Sequence, residues 1–189
     1  MPGSELEIEA VCLNPTRTQF LTTLRALRMR AEITEAHDEC NEPVGTVRVS
    51  GSQEAEPRQH GVSNSVGGAL IPQLIDELPL LAVVGSQIEG GIEIRNAKEL
   101  RVKESDRIAS TVAGLRSMGC EVEEFDDGLR VAGPTRLRGA KINPQGDHRI
   151  AMAFTVAALM AEGDSEIEGA DCVAVSFPEF FDLLESVVR

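Results

Sequence analysis

The chain has 189 residues, 42% of them hydrophobic, enough for one packed core or two small ones. With 31 Asp and Glu against 18 Lys and Arg its net charge is −13, which argues against nucleic acid or an anionic membrane as partner, because phosphate-rich surfaces demand a basic face. A small anionic substrate stays open, since a few Arg and Lys placed locally outweigh a distant acidic surplus.

The chain opens with a strand over residues 6–13, and residues 20–35 read as a helix followed by a strand. Residues 36–43 and 54–64 are polar without periodicity and are expected in loops, with a strand between them near 46–50. Residues 76–97, DELPLLAVVGSQIEGGIEIRNA, give an acidic start with an early Pro, an apolar helix, a Glu-Gly stop and a short alternating strand. Residues 108–123 give a helix, a stop at Gly119 and a strand; Asp126-Asp127-Gly128 then reads as a tight hairpin turn into a strand at 129–131. Residues 147–170, DHRIAMAFTVAALMAEGDSEIEGA, repeat the order of 76–97, and residues 177–189 supply a closing helix. The four cysteines (Cys12, Cys40, Cys120 and Cys172) lie far apart, without a CxxC pair or a Cys/His cluster. That spacing predicts no metal or redox centre and free, buried thiols in a reducing, cytoplasmic setting. The apolar run around 152–160 is too short for a bilayer, and no apolar leader precedes Glu5.

An internal repeat organises these elements. Gly90 and Gly163 lie 73 positions apart, and Ile94 and Ile167 keep the same spacing, so helix and strand recur as one unit. The first copy lacks an apolar helix ahead of its strand. That predicts an uncovered apolar face, covered by another chain or by a part of the protein not present in this sequence.

Charged clusters fall at matching places near helix starts, where unpaired N–H groups and the helix dipole favour anions. In Arg101-Val102-Lys103-Glu104-Ser105-Asp106-Arg107, a helix beginning near Glu104 would bring Lys103, Glu104 and Arg107 to one side. Arg and Lys beside a carboxylate suit a phosphorylated or carboxylated substrate, with Glu104 available for proton transfer. The same spacing also describes a solvated helix start with ordinary ion pairs of roughly 0.3–0.5 kcal/mol each. In Gly146-Asp147-His148-Arg149, Asp147 is a good N-cap and His148 a packed or hydrogen-bonded side chain. Arg149 in the first turn opposes the dipole unless an anion joins it. Asp76, ahead of Leu78-Pro79, reads first as a helix cap, yet the repeat offset sets it against Arg149.

LRVKESDRI at 100–108 resembles the RVKE-[ST]-DR signature of the EPSP synthase family of enolpyruvyl transferases. DHRIAM at 147–152, NPTRT at 14–18, the acidic helix start at Asp76 and SFPEFF at 176–181 follow that family's order. The resemblance implies an inside-out α/β barrel of enolpyruvyl transferase type, present as one incomplete domain. Its repeats would cover about 1–50 (incomplete), about 66–132 and about 135–189. It implies transfer of the enolpyruvyl group of phosphoenolpyruvate to the 5-hydroxyl of shikimate 3-phosphate, without a cofactor or metal. Asp76 is then a candidate base on that hydroxyl and Glu104 the proton carrier for the methylene. Arg107 and Arg149 would bind phosphoenolpyruvate and Lys103 would contact the shikimate side. Some members have Asn where this chain has Glu99 and Lys where it has Val175, so neither contact carries over.

The family's other cleft wall, with its Lys-Ser segment and a GD-x-SSA helix, is expected to precede Met1. The chain is accordingly expected to be the C-terminal part of a monomeric, soluble enzyme and inactive alone, needing that N-terminal half as partner. The related UDP-N-acetylglucosamine enolpyruvyl transferases and a non-catalytic repeat module that binds a partner are the other readings. The main reading requires Glu104, Arg107 and Arg149 to face one solvent-filled concavity.

Overall fold

Acidic and apolar residues alternate at the start of β1 (Glu5–Cys12), which pairs antiparallel with β3 (Glu42–Ser50). On the other side β3 pairs antiparallel with β2 (Arg30–Glu39), giving the order β1-β3-β2. The helix α1 (Gln19–Ala26) packs on β2, burying Leu24 in a small core with Leu13, Ala31 and Val47. These elements form one unit, Met1–Val62, and the remainder forms a second, Ser63–Arg189. The computed structural model describes residues 3–51 and 64–188.

Residues 36–43 are not a loop. They continue β2, turn at Cys40-Asn41 and enter β3, with Glu39 opposite Glu42 and His37 opposite Val44. Both turn residues have positive φ, as a two-residue hairpin turn requires. A ribbon solvated on both faces needs no apolar alternation, so the sequence pattern is silent there. Most of the expected loop at 54–64 lies outside the described residues. Leu6 and Ile8 of β1 are exposed. The cysteines divide: Cys120 is buried and Cys172 half-buried, whereas Cys12 and Cys40 are exposed thiols of the first unit, because the ends of its strands are solvated.

The second unit holds two strand–helix–strand segments. In the first, β4 (Ser65–Val66) runs parallel to β5 (Ile92–Ile94), and the chain between them forms α2 (Ile71–Leu74) and α3 (Leu78–Gly85). β5 then pairs antiparallel with β7 (Gly128–Val131), and β7 with β6 (Val122–Phe125), in the order β4-β5-β7-β6. The hairpin between β6 and β7 turns on Asp126-Asp127, and Gly128 is already strand. A Cβ at Gly128 would stand 1.9 Å from the Ile94 carbonyl oxygen, so only glycine allows this close approach to β5. In the second segment, β8 (Lys141–Ile142) runs parallel to β9 (Glu166–Ile167) across α5 (His148–Ala158). The chain ends in α6 (Phe180–Val187), none of whose residues is buried.

Helices occupy the middle of this unit. α3 is apolar all round, with Leu78, Leu81, Ala82 and Val83 buried, and it touches α5, β5, β7 and α4 (Arg107–Ser117). α4 and α5 pack together through Gly114, above which lies the fully buried ring of Phe154. Among the described residues no single helix is long and apolar enough to cross a membrane.

Gly114→Ala tests this contact. Alanine is the better helix former by about 1 kcal/mol, but its methyl would sit 2.2 Å from Phe154 Cζ. A net loss of roughly 1–3 kcal/mol in urea unfolding is expected, part of it recovered by adding Phe154→Leu. A neutral or stabilising result would mean that the two helices are not in this register.

Candidate active site

The approach to α4 is set by Arg101. Its guanidinium donates to Asp106 (2.8 Å), to Glu124 (3.0 Å) and to the carbonyls of Asp126 (2.9 Å) and Phe125 (2.6 Å). This ties the 3-10 turn Lys98–Val102 to the β6–β7 hairpin. Asp106 then caps α4 by accepting from the Ala109 amide at 2.9 Å, so the helix starts at Arg107 rather than near Glu104. Residues 103–106 are therefore a turn, and the helical spacing expected to gather Lys103, Glu104 and Arg107 does not apply. Lys103 turns away to Glu99, at 2.5 Å.

Arg107 points inward, with 2% of its side chain exposed. Three carboxylates from separate parts of the unit meet it. Nε donates to Asp147 (2.8 Å), Nη1 to Asp76 (3.0 Å) and Nη2 to Glu104 (2.6 Å). Asp76 comes from the corner between α2 and α3, where the helix direction bends by 110°, and it does not cap α3. Glu104 comes from the turn before α4, and Asp147 is the N-cap of α5.

Asp147 is wholly buried and serves two helices. One oxygen accepts from Arg107 and from the Ser105 hydroxyl (3.1 Å); the other accepts from the amides of Arg149 (2.9 Å) and Ile150 (3.4 Å). Burial alone would raise its carboxyl, but the bond and charge of Arg107 and the two amides outweigh burial and hold it below the ordinary Asp value. Burial likewise works against the Arg107 cation, and Asp147, Asp76 and Glu104 more than compensate.

Arg149 is held more loosely. Nη2 stands 3.4 Å from Asp76, Nη1 stands 3.8 Å from Glu77, and Nε is buried without a partner. Asp76 thus bridges both arginines, one oxygen to each. Asp76, Glu104 and Arg149 reach solvent with 38%, 51% and 32% of their side chains exposed, while Arg107 is sealed beneath them. Among the residues singled out from sequence, Asp76, Glu104, Arg107 and Arg149 come together and Lys103 does not. Arg107 itself faces carboxylates and not a solvent-filled concavity, because a buried guanidinium must be paired. The sequence marks Asp147 as a helix cap and as the first residue of DHRIAM; nothing in the chain order reveals its bond to Arg107, 40 positions away. Among the described residues no three His, Cys, Asp or Glu side chains gather as a metal site would require.

Asp147→Ala should cost about 3–5 kcal/mol in urea unfolding, since it leaves a buried cation short of a partner and a helix uncapped. Because the folded Asp147 carboxyl lies below its unfolded value, its contribution is complete above about pH 4 and fades as pH falls further. Asp147→Asn should therefore lose stability at pH 7 and show a flatter decline on acidification. An unchanged acid limb in this variant would refute the ion pair's place in stability.

Comparison with known proteins bears on this arrangement. The model of the family EPSP synthase (3-phosphoshikimate 1-carboxyvinyltransferase) matches residues 1–184. A 3-phosphoshikimate 1-carboxyvinyltransferase from Koribacter versatilis is 51% identical over the whole chain, and one from a Roseiflexus species is 47% identical, also over the whole chain. The structure of EPSP synthase from Acinetobacter baumannii superposes with a TM-score of 0.87 at 31% identity, covering 99% of this chain. This chain spans 42% of the length of each of these proteins. By the family match and the shared fold, the chain belongs to the EPSP synthase family.

Proposed function

We propose that this chain supplies one wall of an active site that moves the enolpyruvyl group of phosphoenolpyruvate onto the 5-hydroxyl of shikimate 3-phosphate. The observation that carries the reading is the pair Arg107 and Arg149, bridged by Asp76, with Glu104 at the rim. Two guanidiniums that share one carboxylate suit an anionic three-carbon phosphoester. Asp76 takes the proton of the attacking hydroxyl. Glu104 delivers a proton to the methylene carbon as the new C–O bond forms, giving a tetrahedral intermediate. Return of a methyl proton to the Glu104 carboxylate with departure of phosphate then forms the enol ether. Lys103, paired with Glu99, is the cation available to the shikimate side. The rest of the relatives' length would form the opposing wall of a monomeric cytoplasmic enzyme.

Both walls are needed to exclude water and orient two substrates, so this polypeptide alone should release no phosphate above background from the two substrates. Near-normal turnover from it would overturn the proposal. Grafted in place of the matching segment of the Koribacter versatilis relative, it should restore phosphate release that depends on shikimate 3-phosphate. In that chimaera Glu104→Gln should lower kcat by roughly 10²–10⁴-fold. A folded chimaera indifferent to Glu104 would remove it from proton transfer.

A further inference from the structure

The turn that carries Glu104 is closed at its base by one ion pair. Arg101 stands before the turn and Asp106 after it, and Arg101 Nη1 donates to Asp106 Oδ2 at 2.8 Å. The other oxygen of Asp106 accepts from the Ala109 amide and starts α4. Arg101 also reaches the β6–β7 hairpin, through Glu124 (3.0 Å) and the carbonyls of Phe125 (2.6 Å) and Asp126 (2.9 Å). A single planar guanidinium therefore clamps the hairpin, the end of the 3-10 turn and the N-cap of α4 together. Glu104 rides between the two ends of this clamp, with 51% of its side chain exposed.

The other copy of the repeat makes the same turn without the clamp. There the 3-10 turn Ala170–Val175 is followed by residues 176–179 and then by α6 from Phe180, matching Lys98–Val102, residues 103–106 and Arg107. At the offset of 73, Ala174 stands for Arg101 and Glu179 for Asp106, and Glu179 makes no side-chain cap. Phe177 stands where the first of these turns has Glu104. The scaffold thus does not need the clamp to turn; the clamp accompanies the carboxylate.

We propose that Arg101 is a positioning residue for proton transfer: by closing residues 103–106 against the β6–β7 hairpin, it aims Glu104 at the methylene carbon. The inference rests on the reading of Glu104 as the proton carrier. Arg107 fixes one oxygen of Glu104, at 2.6 Å, and the clamp fixes the backbone from which the side chain departs. Held at both ends, the carboxyl presents its second oxygen in a set direction. Proton transfer tolerates little error there, since a misplacement of about 1 Å can cost on the order of 10²-fold.

Two measurements test the clamp. In the isotope-labelled Arg101→Met chain, NMR relaxation should show the amides of residues 103–106 mobile on the ps–ns scale, with those of α4 as ordered as in the parent. In the Koribacter versatilis chimaera, Arg101→Met should lower kcat roughly 10–100-fold and leave both KM values within about threefold. Added to Glu104→Gln it should cost less than about threefold more, because no proton carrier is then left to position. Asp106→Ser keeps a helix cap and removes the acceptor of Arg101; it should show the same pattern, and it serves if Arg101→Met does not fold. A turn as rigid in the variants as in the parent overturns the clamp. Equal kcat losses with and without Glu104 also overturn it, as a general structural effect, and leave the reading of Glu104 intact. A folded chimaera without turnover, or with turnover that ignores Glu104→Gln, sinks that reading and the inference with it.

Discussion

A guanidinium carried into a protein interior must be met by carboxylates, and this requirement at Arg107 organises the second unit. Its three partners start from the α2–α3 corner, the turn before α4 and the N-cap of α5. All three helices must therefore present their N-terminal ends to one point. The site is a by-product of that convergence: the elements that pair Arg107 also deliver Asp76, Glu104 and Arg149 to a common rim.

The arginines differ in how firmly they are held, and this divides their labour. Arg101 is spent on the β6–β7 hairpin and on Asp106, and it fixes the direction in which α4 departs. Arg107 is held at 2.6–3.0 Å by three carboxylates, so its position is settled before any ligand arrives. Arg149 has longer contacts, of 3.4 and 3.8 Å, and a side chain partly in water.

The repeated scaffold explains how a carboxylate of one segment meets a guanidinium of the other. Asp76 and Arg149 lie 73 positions apart, at matching places in the two strand–helix–strand segments, and they touch. One copy offers a carboxylate where the other offers a guanidinium, and packing of α3 against α5 brings the two together. Val102 and Val175, also 73 apart, are both strongly exposed at the ends of their 3-10 turns, Lys98–Val102 and Ala170–Val175. The exposed apolar residues of α6, Leu183 and Val187 among them, show that the described part of this unit does not cover all of its apolar surface.

Local order alone determined much of the fold. Asp147 followed by an apolar 3.6-residue period is enough to start α5, and a glycine at 119 with positive φ is enough to end α4, since both act within one turn of chain. The β6–β7 hairpin is similarly local. The spacing of Ile94 and Ile167 displayed the repeat because each short strand carries its own periodicity. The hairpin over residues 36–43 leaves no periodic signature because cross-strand hydrogen bonds, and not side-chain pattern, hold a doubly solvated ribbon. The start of α4 has a related cause: Asp106 caps the helix, so its positions count from Arg107 and not from Glu104. Tertiary structure alone decided that Arg107 is buried, that Asp147 joins two helices and that Asp76 bridges two arginines. Those contacts join residues 31 to 73 positions apart, and electrostatic pairing at such separation depends on how helices pack, which no short window of sequence contains.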